Sequence, residues 1–152
     1  MKKENKEESI FKTHFVFKFD IFPIELIVSV GYSKEELKNK NLPSLQEIDF
    51  DSFGKLNENS DGKFVGFQDG SALIMMRDFN SRSSGSCFSV SRTIVHECTH
   101  YVLFVFERIG MKMNSETEEL FAYMMERVVS ELTNKISDEY KKFKKSDIRD
   151  IL

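Results

Sequence analysis

From residue 14 to residue 22 the run "HFVFKFDIF" alternates Phe15, Phe17 and Phe19 with Val16 and Lys18. This is the period-two pattern of a strand with one aromatic face. Pro23 interrupts it, and "IELIVSVG" reads as a second strand. In "SKEELKNK", Ser33 followed three residues later by Glu36 predicts a short helix opened by a capping box. Residues 40–62, punctuated by Pro43, Gly54, Asn57, Asn59 and Gly62, predict a long connection with little regular structure. In "KFVGFQDGSALIMMRDF" two apolar runs flank Asp69-Gly70, a dipeptide suited to a hairpin turn. The polar stretch "NSRSSGS", residues 80–86, reads as a linker.

From about Phe88 to Ile109 apolar residues lie on nearly every side, which predicts a helix buried all round, with Gly110 placed to end it. A second helix is expected from near Ser115, with Glu118 as its capping partner, through "ELFAYMMERVVSELTNKI". The stretch "KKFKKSDIRDIL" predicts a separate short terminal helix, and the charged residues 1–10 a frayed tail. About four strands followed by two long helices place the chain in the α+β class, with the sheet on one side.

At 152 residues the expectation is one domain, 1–152, able to bury a core without staples. The two cysteines, Cys87 and Cys98, read as packing residues of a protein made in a reducing compartment, so a cytoplasmic location is expected. A net charge of -3 with mixed signs along the chain argues against nucleic acid as a partner. The apolar runs "ALIMM" and "YVLFVF" are too short for a membrane span, and no apolar segment follows the basic start "MKKENKEES".

The chemistry concentrates in "TIVHECTHYVLF", residues 93–104. On a helix, positions four apart share a face, so His96 and His100 can grip one ion. Zinc accepts imidazole nitrogen readily. Glu97, about 100° round the helix by its 3.6-residue turn, stands beside such an ion and suits the role of general base. In that role it takes a proton from a metal-bound water while the metal polarises a scissile carbonyl. The competing reading is two core histidines bonded to backbone carbonyls.

A catalytic zinc site needs a third protein ligand. His14, the remaining histidine, lies far upstream in a strand, and the glycine and third histidine of the elongated motif fall on Leu103 and Phe106. A carboxylate is therefore expected. With Glu118 engaged in its cap, Glu119 is the better candidate, in the first turn of a helix facing the same cleft. Tyr123, one turn on, is placed to donate a hydrogen bond to a developing oxyanion. A solvent-facing stripe of Glu119, Tyr123, Glu126 and Ser130 is the plainer alternative for that helix.

"HECTH" followed by "ETEELFAYMMERVVSEL" resembles the gluzincin clan of zinc metallopeptidases. More narrowly, the short chain and the pattern "E-x-x-A-Y" led by Glu119 resemble small peptidase-like proteins encoded by bacteriophages and mobile elements. The motif-bearing likeness covers about residues 90–132. It implies a minimal zincin-like fold, with zinc held by His96, His100 and Glu119, Glu97 as general base, and a peptide or protein as substrate. Tyr123 departs from it, standing where larger gluzincins often place an aspartate that supports a histidine ligand. In such a fold "SALIMMRD" is expected to form the sheet edge along the cleft, and loop 80–86 is placed to gate it, a plain linker being the favoured reading. The alternative function is a catalytically idle zinc module that binds a partner protein.

Overall fold

The computed structural model describes residues 10–19, 24–40, 61–78 and 87–149. The expected tail over 1–9, almost all of the connection over 40–62 and the loop over 80–86 lie outside them. Four strands, β1 (Thr13–Lys18), β2 (Glu25–Val30), β3 (Gly62–Gly66) and β4 (Ala72–Met76), form one sheet in the order β1-β2-β4-β3. Three helices, α1 (Lys34–Lys38), α2 (Cys87–Arg108) and α3 (Glu118–Arg149), complete an α+β architecture. β1 runs antiparallel to β2, β2 parallel to β4, and β4 antiparallel to β3. The parallel pair requires a long crossover, and residues 31–71, which include α1 and β3, separate β2 from β4.

Alternation sorts the strands between two faces. Leu26, Val28 and Val30 of β2 and Ala72, Ile74 and Met76 of β4 face α2 and α3, in the same cluster as Ile94, Cys98, Tyr101, Val102, Val105, Val128 and Leu132. Ile27, Leu73 and Met75 face the other way, against Leu37 of α1. Both faces of β2 and β4 are therefore covered, as expected of strands with uninterrupted apolar runs. This corrects the expected edge: "ALIMM" is an interior strand, buried at all five positions, and the edge beside α2 is β3. A strand apolar at every residue belongs inside a sheet, whereas glycine-rich "GKFVG" tolerates its rim.

The local devices read from the sequence are present at α1, the hairpin and the end of α2. Ser33 and Glu36 form a reciprocal capping box on α1. At the β3–β4 turn the Asp69 carboxylate accepts from the Ser71 backbone N–H at 2.8 Å, and Gly70 takes φ +92°, a conformation that favours glycine. α2 closes with Gly110 at φ +70°, its N–H on the Glu107 carbonyl and the Met111 N–H on the Phe106 carbonyl, the paired bonds of a Schellman ending.

Three helix expectations are corrected. α2 is buried on one side only: Val95, His96, His100 and Leu103 are exposed, while Ile94, Cys98, Tyr101, Val102 and Val105 join the core formed with the sheet and α3. α3 is capped by Asn114 rather than Ser115. The Asn114 side-chain oxygen accepts from the Glu116 and Thr117 N–H groups at 2.8 and 3.1 Å, and Thr117 Oγ1 accepts from the Asn114 N–H at 3.0 Å. Finally, the segment expected as a separate terminal helix continues α3 through Arg149. No glycine or proline interrupts residues 118–149, and Leu132, Ile136, Tyr140 and Phe143 keep packing on the core.

Candidate metal centre

α2 brings His96 and His100 onto its exposed side one turn apart. Their Nε2 atoms converge to 3.2 Å, with ring centroids 4.8 Å apart and planes at 80°. Two nitrogens each about 2.0 to 2.1 Å from one tetrahedral zinc lie roughly 3.3 Å from each other. The separation of the donor pair matches that spacing, and it is equally the length of a hydrogen bond between the two rings. Neither histidine is the core residue of the competing reading, since both are exposed.

Glu97 follows His96 on the same helix but is buried where His96 is exposed. It is 4% exposed, and its carboxylate accepts the backbone N–H of Phe64 on β3. Burial pushes its carboxyl above the ordinary range, while the nearby His96 and the Phe64 N–H oppose that rise. β3 can reach α2 because two glycines bracket Phe64. A Cβ on Gly62 would stand 2.6 Å from Thr93 Cγ2 and 2.9 Å from Glu97 Oε1, and one on Gly66 would stand 2.4 Å from the Phe104 ring. The Phe64 ring lies nearly parallel to His100, at 16° and 6.2 Å between centroids, and packs on Phe104 at 5.7 Å. Sequence reasoning missed Phe64, Gly62 and Gly66; the spacing "GKFVG" was their only signal.

The other expected site residues lie on α3, with His14 on β1. Glu118 and Glu119 occupy the exposed first turn of α3. Glu118 is relieved of the capping duty assigned to it, since Asn114 and Thr117 perform it. Among the described residues no group of three or more His, Cys, Asp or Glu side chains able to hold a metal is formed. Tyr123 is 64% exposed and borders a groove of about 570 Å3 with Phe19, Tyr101, Leu120 and Arg127, whose lining includes neither histidine. His14 sits on the opposite face of the sheet, beside Tyr32 and Lys40, as a packed histidine rather than a ligand. Cys98 is fully buried, in keeping with a packing role.

No family model, curated protein or solved structure matches the chain. Among the described residues no helix is long and apolar enough to cross a membrane.

Proposed function

We propose that this chain is a zinc-dependent metallopeptidase of the gluzincin kind, with His96 and His100 as two zinc ligands, Glu119 as the third and Glu97 as the general base. The observation that carries the reading is the convergence of the two Nε2 atoms to 3.2 Å, one residue away from a buried carboxylate. His96, His100 and Glu119 would hold the ion, which would supply Lewis acidity when bound. Glu97 contributes the proton acceptor: burial raises its proton affinity above that of an ordinary carboxylate, the direction that suits a group that takes a proton and returns it to a leaving amine. The Phe64 N–H keeps that carboxylate turned toward β3. Glu119, in the first turn of α3, supplies the carboxylate a third position needs, and Tyr123 one turn on donates to the oxyanion. The substrate is a peptide or protein segment.

A second reading, an idle zinc module that binds a partner protein, draws support from the engagement of Glu97 with the Phe64 backbone and its distance from solvent. Elemental mass spectrometry and hydrolysis of a mixed peptide library, on the wild type, His96→Ala, Glu119→Ala and Glu97→Gln, separate the two. The peptidase reading expects about one zinc per chain in the wild type and much less in His96→Ala and Glu119→Ala. It expects zinc retained in Glu97→Gln with hydrolysis reduced by about 10²- to 10⁴-fold, the usual contribution of a general base. Retained zinc with no hydrolysis in any of the four proteins favours the idle module. A wild type without zinc refutes both.

A further inference from the structure

We propose that Phe64 is a positioning residue for the metal centre, its ring holding the imidazole of His100 while its backbone N–H holds Glu97, so that β3 sets both groups at once. This rests on the two-histidine metal site proposed above. His100 lies on the exposed side of α2, where an imidazole turns in a broad torsional well and must lose that freedom on ligation. The Phe64 ring, nearly parallel at 6.2 Å between centroids, lies alongside the imidazole and limits how far it can turn toward β3 before metal arrives. Outer-shell groups that hydrogen-bond a metal ligand typically contribute about 10- to 100-fold to metal affinity, and a ring contact is expected to act at the lower end of that range.

Phe64 is itself held on several sides. Its ring contacts Phe104 at 5.7 Å and Tyr101 at 6.4 Å between centroids. Its backbone is registered opposite Ile74 of the interior strand β4, and β4 is buried throughout. The flanking Gly62 and Gly66 let β3 lie on α2 at a separation that no side chain at either position would permit. The orientation of His100 is thereby referred to the sheet rather than to its own helix alone.

The test compares full-length wild type, Phe64→Leu and Phe64→Tyr by zinc competition against a chromophoric chelator and by the visible spectrum of the cobalt-loaded proteins. Both variants keep the backbone N–H to Glu97, so the comparison reports the ring. The expected result is zinc affinity weakened about tenfold or more in Phe64→Leu, with an altered cobalt spectrum, and restored to within about twofold in Phe64→Tyr. Melting of the metal-free proteins runs alongside, at binding temperatures well below each transition, because a merely structural role lowers the melting temperature and leaves the affinity of the folded protein unchanged. Wild type and Phe64→Leu binding zinc equally overturns the inference alone. A wild type that binds no zinc overturns the two-histidine site and the inference together. A second measurement needs no variant: nuclear Overhauser contacts between the ring protons of Phe64 and His100 are expected, and their absence overturns the proposal even where Phe64→Leu fails to fold.

Discussion

Cys98 sits next to Glu97 on α2 but faces the core, and burial, with a smaller contribution from Glu97, pushes its thiol up to about 12. Alkylation requires thiolate. Cys98 in the native protein is therefore expected to resist iodoacetamide at pH 8 and to react once denaturant is added, as read by peptide-level mass spectrometry. Ready labelling of the native protein contradicts its buried position. His14 gives a pH dependence of determined sign. Burial, reinforced by Lys40, holds its pKa below the ordinary 6.5. Its ring is edge-on to Tyr32, and Lys40 Nζ stands 3.5 Å from its Nδ1. A depressed histidine binds fewer protons folded than unfolded, so its contribution to stability is present above the unfolded pKa and is lost as pH falls toward the folded one. Between about pH 7.5 and 5.5, a range spanning the unperturbed histidine pKa, the melting temperature of the wild type is expected to fall more steeply than that of His14→Gln. Parallel slopes refute this account.

At the scale of elements, the start of α3 is the sharpest case. "NSETEE" offers two neighbouring residues able to cap a helix, and the side chains choose Asn114. Asn114→Ala is expected to cost about 1 kcal/mol, within the usual range of about 0.5 to 2 for a lost cap. Ser115→Ala is expected to cost close to nothing, both read from denaturant midpoints. The reverse order of effects returns the cap to Ser115. β3 and α2 form the other telling pair. Gly62 and Gly66 have unremarkable local signals, and their importance comes from the helix beneath them. Their added Cβ atoms would meet Thr93, Glu97 and Phe104, contacts between segments about thirty residues or more apart in sequence. Periodicity reports which face of a strand is apolar, and says nothing about how closely a second element approaches that face.

Across the whole molecule, the far half of α3 packs against the approach to β1. Phe11 is 1% exposed, edge-on to Tyr140 at 5.2 Å and tilted against Phe143 at 5.5 Å. This contact explains why α3 runs on to Arg149 instead of breaking into a separate terminal helix: its apolar stripe has something to cover. Phe11→Ala is expected to destabilise the protein by about 3 to 5 kcal/mol, the usual cost of removing a buried aromatic, measured by chemical denaturation. A loss near zero would detach the end of α3 from the core. The sequence by itself determined the α+β order, the capping box of Ser33 and Glu36, the Asp69-Gly70 turn and the Gly110 helix end. It also determined that His96 and His100 share one helical face. Each of these depends on interactions within a few residues, which local pattern encodes. Only the tertiary structure decided that β4 is interior and β3 is the edge, that α2 leaves its histidine side open to solvent, and that Phe64 touches both His100 and Glu97. Those outcomes depend on which distant surfaces meet and how closely, and that is settled by packing two sheet faces against helices of fixed width, a constraint that no single stretch of the chain contains.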